Sequence, residues 1–202
     1  MTTSRSTFLF GALGAAVAGS TRAARAVSAG AARPGSYCAP LAKGVAGNTY
    51  DFKLDLLDGE GKVFRLADLR GSAVWLNFFA SWCGDCVEES GRVVQLAEHY
   101  KPYGLTTIGI DVQESPQRVR DYRDRYRISY PIALDAKGSV YAAFGFNFLP
   151  TQLFFDRSGH ITCLVADNLS LQAMDNEIAV ALGGRSIPIV SSSAAPAATA
   201  AP

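Results

Sequence analysis

Cys83 and Cys86 stand where an apolar run meets a polar, helix-compatible segment. The run is Ala73-Val74-Trp75-Leu76-Asn77-Phe78-Phe79; Ala80-Ser81-Trp82 and then Cys83-Gly84-Asp85-Cys86 follow it. Two thiols separated by two residues can make and break one disulfide. At a helix start, unpaired N–H groups and the helix dipole stabilise a thiolate on the first sulfur. The second sulfur lies one turn along and can close the ring. The chemistry expected of this pair is thiol–disulfide exchange.

Other uses of such a pair fit less well. A zinc site needs about four ligands, usually a second Cys/His pair. The remaining candidates, Cys38, Cys163, His99 and His160, are scattered without finger-like spacing, so no metal is expected. A structural disulfide closing so small a loop is a poor staple, because the entropic benefit grows with loop length. Cys38 and Cys163 stay open at this level. They are either a second disulfide tying a linker to the sheet or two unrelated thiols.

Glu89 follows Cys86 by three residues and shares its helix face. If Cys86 points inward, Glu89 does too. A half-buried carboxylate has a raised pKa and could take the Cys86 proton directly or through water. The alternative for Glu89 is an ordinary surface glutamate. Glu88, about 100° further round the helix, reads as solvated.

The surrounding elements must position these groups. Tyr50 to Leu56 alternates with period two and reads as a strand. Asp58-Gly59-Glu60-Gly61 is a turn, and Lys62 to Leu66 is the returning strand. Ala67 to Gly71 is a short helical turn, and Ala73 to Ala80 is a central buried strand. A helix over Val87 to Tyr100 is expected to bury Val87, Val93 or Val94, Leu96, Ala97 and Tyr100. Leu105 to Val112 is a second buried strand. Pro116 opens an arginine-rich helix, whose charges read as a solvated face with local ion pairs. A short strand over Ile132 to Leu134 and a short helix over Gly138 to Phe144 precede a last hairpin, Gln152 to Phe155 and His160 to Val165. A final helix runs from about Leu169 to Leu182 and stops at Gly183-Gly184. The order predicts an α/β fold with a mixed central sheet flanked by helices and an N-terminal β-hairpin.

The 202 residues are 49% hydrophobic, enough for one medium domain with a core. Nineteen basic against eighteen acidic residues argue against a nucleic-acid binder, which normally carries a basic excess. Residues 1–29 have the layout of an export signal: Arg5, then the apolar stretch Phe8 to Gly19, then small-residue cleavage patterns at Ala24-Arg25-Ala26 and Val27-Ser28-Ala29. An uncleaved anchor is the alternative. Residues 30–46 read as an Ala/Gly/Pro-rich linker and residues 185–202 as a disordered tail, leaving 47–184 as the folded domain.

Leu76-Asn77-Phe78-Phe79-Ala80-Ser81-Trp82-Cys83-Gly84-Asp85-Cys86 resembles the active-site segment of the TlpA/ResA-like oxidoreductases of bacterial cell envelopes. The resemblance covers about Gly47 to Leu182. It includes Asp51-Phe52, Leu66-Ala67-Asp68-Leu69-Arg70-Gly71 and Phe148-Leu149-Pro150-Thr151. It implies a thioredoxin-like fold, with Cys83 as attacking thiol and Cys86 as resolving thiol. It also implies a cis-proline at Pro150, with Trp82, Leu149 and Pro150 meeting the substrate peptide, and an acidic residue at Glu89. Asn77 stands where ordinary thioredoxins carry a buried aspartate, which leaves the proton-transfer role to Glu89. Disulfide-containing envelope proteins are the implied substrates, cytochrome c maturation components among them. A membrane thiol donor is the implied reductant. The protein is expected to be extracytoplasmic and monomeric, with no cofactor beyond its own redox-active disulfide.

One departure concerns tuning by Gly84 and Asp85. Asp85 takes the place of the proline usual before the second cysteine. An anion there disfavours the Cys83 thiolate, which favours the disulfide and makes the pair a better reductant. Two rival classes remain. A thiol peroxidase of the peroxiredoxin type shares the general fold but places a lone cysteine in a Thr/Pro-rich loop. A non-catalytic binding module would not need an intact cysteine pair.

Overall fold

Seven strands form one sheet in the order β2-β1-β5-β4-β3-β6-β7. The computed structural model describes residues 38, 51–59, 61–184 and 187–189. The export signal, most of the linker and most of the tail lie outside the described residues. No described helix is long and apolar enough to cross a membrane.

The centre of the sheet is β3 (Ala73–Phe79), buried at every residue, and β4 (Leu105–Val112). The two are parallel, joined by α1 (Gly84–Tyr100). After β4, α2 (Pro116–Tyr126) leads to β5 (Ile132–Asp135), again parallel. Strands shielded on both faces read as continuous apolar runs, which is why β3 and β4 show no polar alternation. On one flank, β1 (Lys53–Leu56) pairs antiparallel with β5 and with β2 (Val63–Arg65). A 3₁₀ turn over Leu66–Leu69 leads back to β3. On the other flank, β6 (Thr151–Phe155) and β7 (Ile161–Val165) are antiparallel, reached through the short α3 (Ser139–Ala143). The chain closes with α4 (Leu171–Ala181). This is the mixed, helix-flanked sheet of a thioredoxin-like fold.

The period-two pleat sorts β3 into two cores. Trp75 and Phe79 face one cluster with Phe154 and the inner sides of α1, α2 and α4. Val74, Leu76 and Phe78 face the other, with Ile110, Leu153 and Phe155. Asn77 falls on the Trp75 parity, so the face that receives α1 also carries a polar position of β3.

Two expectations shift. Helix α1 begins at Gly84 rather than Val87, because Cys83 itself caps it. Its buried stripe is Cys86, Glu89, Ser90, Val93, Leu96, Ala97 and Tyr100, while Val87 and Val94 are only half-buried. The stripe therefore includes the second cysteine and the glutamate. Helical spacing is kept, but its phase is set by the cysteine end.

Candidate active site

Strand β3 ends at Phe79, and the Cys83 N–H donates to the Ala80 carbonyl at 3.1 Å, closing a turn that aims the chain into α1. Cys83 is the N-cap, and its Sγ accepts the Cys86 N–H at 3.2 Å. The sulfur thus occupies the place where a capping oxygen normally satisfies a free helix donor. A negative charge there is stabilised by that N–H and by the helix dipole. Cys83 and Cys86 are joined in a disulfide. Cys83 is 7% exposed and Cys86 1%, so an incoming thiolate or disulfide meets Cys83 first.

A cleft opens over this end of the sheet. Trp82, Cys83, Gly84 and Asp85 line it together with Phe148 and Leu149. Trp82 is 67% exposed and Phe148 62%. Large apolar side chains left in water at a cleft mouth are available to pack against a partner. The Leu149–Pro150 peptide is cis, as the resemblance implied. Leu149 lines the cleft and Pro150 is buried directly after it.

Beneath the disulfide, Glu89 is fully buried. Its Oε1 accepts the Gln152 Nε2–H at 2.6 Å. The Gln152 Oε1 in turn accepts the indole N–H of Trp75 at 2.5 Å. An indole nitrogen only donates, so it fixes which end of the amide faces it and turns the amide N–H₂ toward Glu89. Burial pushes the Glu89 carboxyl up to about 8; the Leu169 backbone, the Arg92 charge and Gln152 pull it down, and the Asp85 charge adds to the rise. A carboxyl raised this far holds and releases a proton near neutral pH, as a proton acceptor close to a thiol must. On the outer side, the Tyr122 hydroxyl donates to the Cys86 carbonyl at 3.0 Å and ties α2 to the first turn of α1.

The structure brings Trp82, Cys83, Gly84, Asp85 and Leu149 to one cleft, with Glu89 below and Pro150 behind. Gln152 was not anticipated. Its signal is a polar residue within the apolar run of β6, at the parity of Phe154 and in register with Asn77. Asp111 and Glu114 were also missed. Asp111, at the buried end of β4, is pushed up to about 8 by burial and by its neighbour Glu114.

Cys38 and Cys163 form a second disulfide, which settles the question the sequence left open. The Glu177 carboxylate lies 3.2 Å from Cys38 Sγ, and ligand atoms of all three residues fall within 4.8 Å of one another. With both sulfurs in a disulfide, no thiolate is left there to hold a metal.

Comparison with known proteins gives a consistent picture. The family model described as "AhpC/TSA family" matches residues 45–163. The thiol-disulfide oxidoreductase ResA of Bacillus thuringiensis (strain Al Hakam) is 33% identical over 104 residues, 52% of this chain and 60% of the relative. ResA of Geobacillus thermodenitrificans is 30% identical over 115 residues, 57% of this chain and 66% of the relative. The chain therefore spans somewhat under two thirds of the length of these curated relatives. Among solved structures, a thiol:disulfide interchange protein of the thioredoxin family from Chlorobium tepidum superposes with a TM-score of 0.62 at 29% identity. That match covers 68% of this chain and 97% of the other.

Proposed function

For a chain that belongs to the AhpC/TSA family, and within it to the TlpA/ResA-like thioredoxin-fold branch, we propose extracytoplasmic thiol–disulfide oxidoreduction, with protein disulfides as substrates. The observation that carries this reading is the Cys83–Cys86 disulfide at the α1 N-terminus, with the buried Glu89 beneath it.

In the reduced protein the Cys83 thiolate attacks one sulfur of a partner disulfide. A bond forms between Cys83 Sγ and that sulfur, and the partner's other sulfur leaves as a thiolate and is protonated. Cys86 then loses its proton to Glu89 and attacks Cys83 Sγ. The internal disulfide re-forms and the second partner thiol is released. Two electrons have passed to the partner, which is now a dithiol. A membrane thiol donor returns the pair to the reduced state.

Trp82, Leu149 and Pro150 serve as the peptide-facing surface in this reading. The pattern of residues 1–29 supports an extracytoplasmic location. So does the second disulfide, since structural disulfides persist in oxidising compartments. Cytochrome c maturation components are the partners the ResA likeness suggests.

The test is trapping. A Cys86→Ser variant expressed in the native envelope should accumulate mixed disulfides through Cys83, released by a chemical reductant and absent from a Cys83→Ser Cys86→Ser control. An envelope fraction containing no such adducts would overturn the reading.

A further inference from the structure

We propose that Glu114 and Asp111 are positioning residues of the redox site, a carboxyl pair that clamps the turn carrying Trp82 and Cys83. The proposal rests on the thiol–disulfide reading only for its catalytic consequence; the clamp itself stands on geometry.

The turn from Ala80 to Cys83 projects beyond the sheet, and its most prominent side chain, Trp82, is largely in water. Ala80 and Cys83 anchor the two ends of the turn in the core, while Ser81 and Trp82 between them lack that packing. Glu114 reaches the turn from the segment just after β4. The Ser81 N–H donates to Glu114 Oε2 at 2.5 Å, and the Ser81 Oγ–H donates to Oε1 at 2.6 Å. Both carboxylate oxygens thus grip one residue, two positions before the attacking sulfur. Charge-assisted bonds of this kind are about twice as strong as neutral ones.

Glu114 is held in turn from below. Asp111 is fully buried and stands in register with Phe79, the last residue of β3. Its Oδ2 accepts the Glu114 N–H at 3.3 Å. Its Oδ1 has no partner among the described residues. Two carboxyl groups this close, one of them fully buried, do not both ionise at neutral pH. Glu114 accepts from Ser81 through both oxygens, and Asp111 is the fully buried member, the one whose charged form burial disfavours. Burial first and Glu114 second raise Asp111 to about 8, in line with a proton held on Asp111. The charged groups facing Asp111 are Glu114, from the segment after β4, and Asp135, from β5.

The backbone between the two acids is shaped for this. Gln113 has φ 64°, a left-handed conformation that non-glycine side chains seldom adopt. Its N–H donates to the Asp135 carbonyl at 3.1 Å. The reversal lets Asp111 and Glu114 meet across it. Asp135 also braces the far wall of the cleft. Its carboxylate accepts the backbone N–H groups of Ser139 and Tyr141, at 2.9 Å and 2.8 Å, and the Tyr141 hydroxyl donates to the Phe148 carbonyl at 2.7 Å. Carboxylates at the ends of β4 and β5 thus fix both lips of the cleft, the Cys83 lip through Glu114 and the Phe148 lip through Asp135.

The experiment has two arms. The first uses oxidised protein, in a Glu89→Gln background that removes the other buried acid titrating near pH 8, and follows acrylamide quenching of tryptophan. Trp75 is fully buried and Trp82 exposed, so quenching reports the turn. The parent should show an inflection near pH 8, with Trp82 more accessible above it. Asp111→Asn, which keeps an acceptor for the Glu114 N–H but cannot ionise, should remove the inflection and hold the low-pH value throughout. The second arm measures alkylation of Cys83 in reduced protein otherwise wild type. Glu114→Ala should change the rate about tenfold at pH 7, Ser81→Ala about threefold in the same direction, and Asp111→Asn by less than twofold. Circular dichroism of each variant establishes folding, and Ser81→Ala is the surface substitution that decides the matter if Glu114→Ala does not fold. An inflection that survives in Asp111→Asn, or wild-type Cys83 reactivity in both Glu114→Ala and Ser81→Ala, would overturn the clamp. Neither readout needs a protein substrate, so a wild-type protein that traps no partner would sink the proposed function while leaving this result intact.

Discussion

The side-chain amide of Gln152, on β6, donates to the carboxyl of Glu89, on α1, across 63 residues of chain. The amide is oriented by Trp75 from the neighbouring strand β3, so a rigid sheet holds the acid under the disulfide. That bond favours the ionised carboxylate, against a burial effect that favours the acid.

Gln152→Leu removes the donor and keeps the apolar volume. The Glu89 carboxyl should rise above its present value of about 8. The limb of the pH–rate profile that needs ionised Glu89 should move to higher pH, with activity at pH 7 reduced severalfold. Single-turnover reduction of a disulfide peptide between pH 6 and 10 measures the shift. A limb that stays in place would show that Gln152 does not tune the acid.

Glu89→Gln should slow resolution rather than attack. General-base contributions run about 10²–10⁴-fold, so the mixed disulfide should persist about a hundred times longer while alkylation of Cys83 stays near its parent rate. Quenched-flow separation of the two steps is the appropriate measurement. Equal slowing of both would point to a general distortion of the site.

The same substitution should affect stability with a definite sign. Glu89 is raised in the folded state, from 4.5 to about 8. Its favourable contribution is complete below the unfolded value and is lost as pH rises through the folded one. Glu89→Gln should therefore stabilise the oxidised protein at pH 9 relative to pH 5, by roughly 2–4 kcal/mol, or about 5–15 °C in Tm. Thermal melts at the two pH values decide it. A Tm difference independent of pH would place the acid in a wetter setting than the folded core provides.

Asp85 sits in the first turn of α1, exposed, and shares the cleft with Cys83. Asp85→Asn and Asp85→Pro should both stabilise the Cys83 thiolate and make the pair more oxidising. Proline is tolerated in a first helical turn. Solvent screening keeps the effect small, about 10–30 mV. Redox titration against glutathione reads it directly, and a potential unchanged or lowered in both variants would reject the tuning role.

Cys163→Ala removes the second disulfide, which joins residues 125 apart. The expected loss is about 2–5 kcal/mol of stability. The Cys83–Cys86 potential should stay within about 10 mV, because the substitution changes no charge in the cleft beside Cys83. Chemical denaturation and redox titration on the same variant test both halves.

The redox pair was legible in the sequence because its geometry is local. Two residues between cysteines, at a strand-to-helix junction, place both sulfurs on the first turn without reference to the rest of the chain. Glu89 was legible for the same reason, one helical turn further on, although its burial depended on the phase of α1. Cis Pro150 came from the likeness of Phe148-Leu149-Pro150-Thr151 to a family segment. Gln152 and the Asp111–Glu114 pair looked like isolated polar residues in or beside apolar runs.

The sequence alone determined where the disulfide forms, that a helix follows it and which strands carry the core. Those features depend on neighbours within a few residues and on the periods of strand and helix. Only the tertiary structure decided what surrounds the sulfurs. Gln152 reaches Glu89 because β6 lies antiparallel beside β3, and Glu114 reaches Ser81 because β4 lies parallel on its other side. Cys38 meets Cys163 only in the folded domain. Each of these contacts depends on strand order and register, which arise from burying both faces of the sheet at once and leave no mark in a local stretch of chain.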